Sequence, residues 1–425
     1  MSRWSCVTAA AALTSLLVVP VGRAGAAPAA PAAQAEPRAA GNAVIDWNLA
    51  TEQAILASGP FVPHVALINR AMVHGAVYDA VNGITRTHQP YLLQVGSQPG
   101  DSVDAAAATA AFRMLVHLFP SQGPTLQAKY DAALAAIPDG PAEQGGIADG
   151  EQSAAAMITA RTGDGRGAPT TVVIGTQPGQ WRPTPPNFLV DPAPWAGKVK
   201  PFLVPDVAAL RSDGPNALTS AAYTEDFEEV KAVGSRTSTT RTADQTDAAR
   251  WWAAVPQEAM LRSLATGHGL SADDSARLFA RVALATADAV IACHADKSHW
   301  TSWRPITAIR EADTDGNPDT AADPAWTPLL DTPPWYEHSS GHSCNISAWT
   351  HALHDFFGTD KVAFSGLSPV TGTTRSFATF TAARKELIGA RVWGGIHFRT
   401  ADVAGAVIGA KVAKYERHHW FAPVD

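Results

Sequence analysis

Residues 272–295 read ADDSARLFARVALATADAVIACHA, and larger apolar residues recur there at separations of three, four and seven positions, as at 279 and 282, 278 and 282, and 284 and 291. That spacing places them on one side of a helix. The same periodicity recurs through most of the chain, and alternating β-branched runs are few. The sequence therefore predicts an all-α protein. Helices are predicted at 45–57, 64–81, 102–118, 126–136, 152–162, 219–233, 242–254, 272–295, 341–357, 376–390 and 397–414.

Two irregular segments interrupt the predicted helices. The first, 163–215, is rich in Pro, Gly and isolated Trp, and the second, 313–336, contains Asp-Gly and Pro-Pro turns. The first is too aromatic for a free linker, so we expect it to pack on the helices. The simplest architecture is two packed helical bundles with irregular Pro/Gly-rich connections, an N-terminal region at 43–220 and a C-terminal region at 221–425.

The N-terminus has the pattern of a secretion signal. Arg3 precedes the apolar run 7–21, and Ala-Gly-Ala at 24–26 offers small residues for cleavage. Residues 1–26 are therefore predicted to be a signal peptide, and 27–42 a flexible Ala/Pro segment. A membrane anchor is the alternative. Because no later stretch of the sequence suggests a membrane span, we expect a secreted protein without a membrane partner.

Charge and cysteine content narrow the function further. The 425-residue chain is 46% hydrophobic with a formal net charge of −7, which argues against nucleic acid as a partner. Outside the predicted signal the only cysteines are Cys293 and Cys344, too few for a disulfide framework or a cysteine zinc cluster. One bridge between them is possible. His64 and His74 lie in predicted helices and are interpreted as core or surface residues without chemistry.

Three short segments in the last third of the chain carry the polar chemistry. The first, 297–305, reads KSHWTSWRP. Lys297 and Arg304 are seven residues apart, nearly two helical turns, so we expect both stems on one helix face. The compact ammonium of a lysine and the planar guanidinium of an arginine together suit an oxyanion with several acceptor oxygens. A solvated basic face is the alternative.

The second segment, 339–343, reads SSGHS between a Pro-rich loop and an apolar helix. Ser339 or Ser340 is the predicted N-cap, and the unpaired N–H groups that follow form an anion site. Gly341 lets the backbone approach a ligand closely, and His342 can exchange protons near neutral pH. The alternative is an ordinary capped helix with an incidental histidine.

The third segment, 391–397, reads RVWGGIH. On one continuous helix Arg391 and His397 would point in different directions. We expect Gly394-Gly395 to break the helix, so that Arg391 closes one helix and His397 opens the next. A helix joint with two surface polar residues is the alternative.

Together these segments resemble the signature of the vanadium haloperoxidase and acid phosphatase superfamily, especially its bacterial haloperoxidase branch. That signature is a Lys, six residues and Arg-Pro, then Pro-Ser-Gly-His, and last an Arg, five residues and His. Here 297–305 and 391–397 match in full, and 340–342 matches with Ser339 in place of Pro. The longer segment WRPITAIR at 303–310 also resembles the corresponding sequence of the bacterial haloperoxidases.

The resemblance implies a vanadate cofactor. His397 would be the residue that binds vanadium. The vanadate oxygens would be held by Lys297, Arg304, Ser340, Gly341 and Arg391.

The resemblance also implies a catalytic role for His342, Lys297 and His397. His342 would take a proton from hydrogen peroxide, and Lys297 would polarise the peroxide so that a halide ion attacks one oxygen. A hypohalous species would then halogenate a small organic acceptor. This is Lewis-acid chemistry with preorganised donors.

Other activities of the same cage stay open. Phosphate and vanadate share shape and charge, so an acid phosphatase with His397 as nucleophile and His342 as general acid is the enzymatic alternative. A phosphate- or vanadate-binding protein without turnover is the non-enzymatic one. Trp335 favours the peroxidase, because chloroperoxidase-like members carry an aromatic residue there near the halide site. It could equally be a hydrophobic lid.

Two positions depart from the family pattern. An acid often follows the last histidine by four residues, where this sequence has Ala401. Asp402 lies one further on, about 140° from His397 on a regular helix. Such an acid would orient the imidazole, so its displacement argues most against the phosphatase. His294 stands where some relatives place Trp over the cage, and its role stays open.

Overall fold

The computed structural model describes residues 42–424. Within that part of the chain there are thirteen α-helices and one two-stranded hairpin, so the predicted all-α fold is confirmed. The predicted signal peptide 1–26 and Ala/Pro segment 27–42 lie outside the described residues, apart from Asn42, which caps the first helix.

Five helices form the first part of the described chain. They are α1 (Ala43–Ala57), α2 (Pro63–Thr85), α3 (Val103–Leu118), α4 (Gly123–Leu134) and α5 (Pro141–Arg161). Their starts follow the sequence. The Asn42 and Ser102 side chains accept first-turn N–H groups of α1 and α3, while α2, α4 and α5 begin with Pro, which has no N–H to leave unpaired.

Eight helices and the hairpin follow the irregular connection. The helices are α6 (Ala221–Gly234), α7 (Ala243–Ala253), α8 (Gln257–Gly267), α9 (Ala272–Trp300), α10 (Pro305–Arg310), α11 (Gly341–Phe357), α12 (Phe380–Trp393) and α13 (Arg399–His419). The hairpin pairs β1 (Phe364–Leu367) with β2 (Thr374–Phe377) in antiparallel register. Side chains of Ser220, Thr242, Ser271 and Thr379 cap α6, α7, α9 and α12.

All eleven predicted helices are present, but two further helices were missed and some of the predicted helix starts were wrong. Helices α8 and α10 were not predicted, and α10 has only six residues, too few for a periodic pattern. Helix α5 starts at Pro141 instead of 152, because Gly145-Gly146 obscures its first turns. Ser376, the predicted start of α12, lies in β2, and α12 begins at Phe380.

Helix α9 is the central element of the fold. It packs against α2, α11 and α13, and nearly all of its residues from Ser275 to Lys297 are buried. By length and hydropathy α9 could cross a membrane, contrary to the expectation that no later stretch has that character. However, 94% of its most apolar window is buried inside the fold, so the described structure uses α9 as a core helix.

The main apolar core joins side chains from both ends of the described chain. It includes Ile68 of α2, Phe279 of α9 and Trp349 of α11. A smaller cluster surrounds Phe227 and Ile306. The core extends across the predicted boundary between the two helical regions, and that boundary stays a prediction.

The irregular connection packs on the helices, as predicted. Trp181 is buried, and its backbone N–H donates to the carbonyl of Thr301. Further along, the buried carboxylate of Asp288 on α9 accepts the backbone N–H groups of Phe202, Leu203 and Val204 at 2.6–2.8 Å. The connection is therefore fixed to α9 by hydrogen bonds.

Replacing Asp288 with Asn should destabilise the fold. The NH₂ group of the new side chain would face at least one of the three backbone N–H groups, which would then have no acceptor in this buried place. We expect a loss of roughly 1–3 kcal/mol in the free energy of unfolding, measured by urea denaturation. Asp313→Asn is the control because Asp313 is exposed. Equal stability of the two variants would contradict the anchoring role of Asp288.

Candidate active site

The structure brings the residues of all three motifs together. Lys297 lies in the last turn of α9, Arg304 at the start of α10, Arg391 near the end of α12, and 340–342 at the start of α11. His397 lies between α12 and α13, with its Nε2 3.1 Å from Nη1 of Arg304. These residues are called the cage below.

Lys297 is a buried residue in the last turn of α9. Its Nζ donates to the carbonyl of Tyr336 at 2.7 Å and to that of Glu337 at 2.9 Å. A Cβ added to Gly341 would lie 4.0 Å from its Cε. Burial lowers the pKa of Lys297 to about 8, with the nearby Arg304 acting in the same direction. Because an ammonium has three donors, one N–H is left for a ligand.

Arg304 reaches the cage by a different route from the predicted one. Helix α9 ends just before Thr301, which has a left-handed φ of 47°. Lys297 and Arg304 therefore do not share a helix face, and that expectation was wrong. Arg304 is the N-cap of α10, with Nε donating to the carbonyl of Trp335 at 2.9 Å and Nη1 to that of Ile396 at 2.7 Å.

The Gly394-Gly395 pair ends α12, as predicted. Gly395 has a φ of +74° and lies so close to the carbonyl of Gly234 that a side chain would collide with it. Arg391 is in the last turn of α12, but α13 begins two residues after His397. The predicted helix start at His397 was therefore wrong, and the imidazole is held by a loop.

The N-terminus of α11 supplies neutral donors. Ser340 is its N-cap, which confirms one of the two predicted positions. The Ser340 hydroxyl does not cap the helix and has no hydrogen-bond partner among the described residues. The first-turn N–H groups, beginning with Gly341, also lack intrahelical acceptors, and the helix dipole is positive at this end.

The carboxylate that orients His397 is Glu337, which the sequence did not reveal. Its Oε1 lies 2.9 Å from Nδ1 of His397 and accepts the Phe398 N–H at 3.0 Å. With a proton on Nδ1, Nε2 of His397 keeps its lone pair. Burial raises the pKa of Glu337 to about 8, against the lowering effects of Arg304 and Lys297.

Asp402 has a different environment. Its Oδ1 accepts the Ser343 hydroxyl at 2.9 Å. Burial raises the pKa of Asp402 to about 7, while the charge of Arg391 acts in the opposite direction. In the family pattern an acid after the last histidine orients that histidine. Here Glu337, 60 residues before His397 in the chain, takes this position.

His342 lies where the cage meets a cavity of about 130 Å³, which Trp335 also lines. Burial, together with the charges of Arg391, Lys297 and Arg304, lowers the pKa of His342 well below 6.5. Its imidazole is therefore neutral at neutral pH and can accept a proton. Trp335 lines the same cavity, a position that suits both interpretations of this residue.

The cage residues fit a tetrahedral oxyanion. Nη2 of Arg304, Nε and Nη1 of Arg391 and Oγ of Ser340 are buried without a hydrogen-bond partner among the described residues. Leaving such groups unpaired costs roughly 1–3 kcal/mol each. Two carboxylates, Glu337 and Asp402, act on the three buried cations, and burial favours their neutral forms. An anion with several acceptor oxygens would pair the donors and balance the charge, as phosphate or vanadate would.

Both thiols of the described chain lie beside Ser339. Cys293 and Cys344 are buried and free. The Sγ of Cys293 is 3.4 Å from the Ser339 hydroxyl, and that of Cys344 is 3.8 Å from it. The two cysteines therefore approach a common residue without forming the disulfide that the sequence left possible.

Solved structures share this fold. The structure of a bacterial vanadium-dependent iodoperoxidase aligns with a TM-score of 0.80 at 23% identity, covering 92% of this chain and 100% of that one. A holo-type bacterial vanadium-dependent chloroperoxidase aligns at 0.65 and 17% identity, covering 84% of this chain and 91% of that one. An apo-type bacterial chloroperoxidase aligns at 0.66 and 17%, covering 85% and 94%.

A family model matches the part of the chain that contains the cage. Residues 277–424 match the VCPO second helical-bundle domain, whereas no curated protein matches the sequence. The chain thus has the fold of the vanadium-dependent haloperoxidases, and its cage contains three buried cations and four unpaired donor atoms.

Sulfate binding to the cage should weaken as the pH rises through about 8. Lys297 is charged below its pKa of about 8, and Glu337 is charged above its pKa of about 8, so both deprotonations oppose anion binding. Sulfate keeps its charge in this range. The affinity from titration calorimetry should fall by up to about tenfold per pH unit for each group. Lys297→Arg should remove the lysine contribution. An affinity that stays constant through this range would contradict the prediction.

Proposed function

We propose that this protein is a secreted vanadate-dependent haloperoxidase. It oxidises a halide ion with hydrogen peroxide and releases a hypohalous species that halogenates a small organic acceptor. The observation that carries the proposal is the set of buried, unpaired donors around His397, whose Nδ1 is bonded to Glu337. The shared fold with bacterial iodo- and chloroperoxidases supports it. The signal pattern of 1–26 supports secretion.

Two groups of cage residues would bind vanadate: His397 the vanadium, and the cations and neutral donors the oxygen atoms. Nε2 of His397 has the lone pair needed to bind vanadium, and Glu337 increases its basicity. When bound, vanadate supplies a Lewis acid that activates hydrogen peroxide without a change of oxidation state. The residues that would hold its oxygens are Lys297, Arg304, Ser340, Gly341 and Arg391.

His342 and Lys297 handle the proton and the developing charge. The neutral imidazole of His342 faces the cavity beside Trp335, so it can accept a proton from incoming hydrogen peroxide. The remaining N–H of Lys297 can donate to a peroxide oxygen and polarise it for attack by halide. Because Lys297 is buried, its charge acts through a lower effective dielectric constant than that of water.

An acid phosphatase is the second candidate, and Glu337 favours it. The sequence argued against a phosphatase because the acid behind His397 was displaced. Glu337 supplies that acid at 2.9 Å and would support His397 as a nucleophile. A general acid must carry a proton, however, and the lowered pKa of His342 favours its neutral form. The proton-accepting role fits the peroxidase better.

One preparation can distinguish these functions. Metal-free protein is loaded with orthovanadate and assayed for bromination of monochlorodimedone by hydrogen peroxide, with chloride and iodide in parallel. The proposal expects halogenation that requires vanadate, and absence of such turnover with every halide would defeat it. Hydrolysis of p-nitrophenyl phosphate by vanadate-free protein would identify a phosphatase. Vanadate binding without either activity would identify a non-catalytic binding protein.

Glu337→Gln should weaken vanadate binding by about 10–100-fold, because it removes the charge behind His397. Sulfate does not bond to Nε2 of His397, so it should bind the variant at least as tightly as the wild type. Equilibrium dialysis above pH 8 measures both affinities. Glu225→Gln on α6 is the exposed control. A parallel loss for both anions would show general damage to the cage, not the loss of a positioning charge.

His342→Ala should lower kcat for halogenation by about 100–10,000-fold through loss of the proton acceptor. Vanadate affinity should change little, because the four unpaired donor atoms of the cage belong to other residues. Steady-state kinetics at saturating vanadate and equilibrium dialysis separate these effects. His351→Ala, farther along α11, is the control. An unchanged kcat in His342→Ala would remove His342 from the mechanism.

A further inference from the structure

A second polar cluster lies beside the cage and takes no part in the proposed haloperoxidase chemistry. His64 from α2, Asp191 from the irregular connection and His294 from α9 are all buried, and one ligand atom of each lies within 4.8 Å of the others. The sequence suggested no chemistry for His64 and no role for His294. The fold brings these three residues together from positions far apart in the chain.

Hydrogen bonding does not explain this cluster. Nε2 of His64 is 3.4 Å from Oδ1 of Asp191, and Nδ1 of His294 is 3.7 Å from Oδ2. Both separations exceed the roughly 2.7–3.2 Å of an N–H···O hydrogen bond. Nε2 of His64 is buried and has no hydrogen-bond partner among the described residues.

The carboxylate of Asp191 lies between the two imidazoles. The ion-pair contacts of Asp191 within the described chain are with these two imidazoles. The Ala193 N–H donates to Oδ1 of Asp191 at 2.8 Å and fixes the carboxylate. A cation bound between these three side chains would compensate the charge of the buried carboxylate.

We propose that His64, Asp191 and His294 bind one divalent transition-metal cation, and zinc matches this ligand set best. Zinc accepts histidine nitrogen and carboxylate oxygen in tetrahedral geometry at about 2.0–2.2 Å. Two such ligands lie about 3.3–3.5 Å apart, close to the observed 3.4 and 3.7 Å. Imidazole ligands also favour transition metals over calcium or magnesium.

The cation would have an open coordination position next to the cage. Three protein ligands leave a fourth position of a tetrahedral ion for water or an anion. His64 and His294 line the same cavity as Trp335 and His342, and the His64 ring meets the edge of Trp335 at 5.6 Å between centroids. A cation bound there would therefore lie on the same cavity as His342. Zinc binding does not require the proposed haloperoxidase activity.

Zinc titration of the full chain without vanadate tests the site. The protein is first dialysed against a chelator, and bound zinc is then measured by equilibrium dialysis with metal analysis. We expect one zinc per chain in the wild type. Loss of a residue that only supports a metal ligand weakens metal binding by about 10–100-fold. Asp191 and His294 are proposed as direct ligands, so Asp191→Asn and His294→Gln should each weaken zinc binding at least about tenfold. Absence of wild-type binding would overturn the proposal.

Two controls locate the zinc. His299→Gln removes an exposed histidine from the same helix, and Arg391→Ala opens the cage. Both variants should bind zinc as the wild type does. If Asp191→Asn also kept wild-type affinity, the metal would be bound elsewhere and the proposal would fail.

Cobalt provides a readout that does not depend on the variants folding. Cobalt-loaded wild type should show the visible absorption of a four- or five-coordinate ion with nitrogen ligands, and added zinc should abolish that absorption. A spectrum of octahedral cobalt in water would overturn the proposal. Zinc should also raise the Tm of the wild type, since a ligand of the native state stabilises it, but not the Tm of folded Asp191→Asn.

Discussion

The burial of three cations at one point is the constraint on which the rest of this structure depends. Lys297, Arg304 and Arg391 have exposed fractions of 1%, 0% and 2%. At an effective dielectric constant of 20, two unit charges 4 Å apart repel each other by about 4 kcal/mol. Burial lowers the pKa values of these groups to about 8, 10 and 10. A site in this state favours the binding of an anion.

The helices make this arrangement possible by ending at the same place. The last turns of α9 and α12 and the N-termini of α10 and α11 surround the cage. Backbone carbonyls accept hydrogen bonds from two of the cations, two carbonyls at Lys297 and two at Arg304. Donors left without a partner then define where oxygen atoms of a ligand can lie. This is electrostatic preorganisation built from chain turns.

Sequence and structure agree most closely where the signal is local. Apolar periodicity predicted α9 and ten other helices, and the Gly394-Gly395 pair predicted the break after α12. Motif spacing identified the cage residues, although it misjudged the path between Lys297 and Arg304. The residue at 301 adopts a left-handed conformation that ends α9, and a Thr at this position gave no warning of it.

The remaining features depend on contacts between distant segments. Glu337 reaches His397 across 60 residues, so no helical period relates them. The sequence signal for Glu337 is its position two residues before Ser339, whereas the family pattern places an acid after the last motif histidine. Asp191 lies in an irregular segment where no regular spacing predicts direction. His64 looked like an ordinary core histidine until the fold placed it beside Asp191 and His294.

A crystal structure determined in the presence of orthovanadate tests the central claim most directly. The account predicts vanadium bonded to Nε2 of His397, with oxygen atoms accepting hydrogen bonds from the unpaired donors of Arg304, Arg391 and Ser340. Vanadate bound elsewhere, or a cage whose three cations turn outward to solvent, would contradict it.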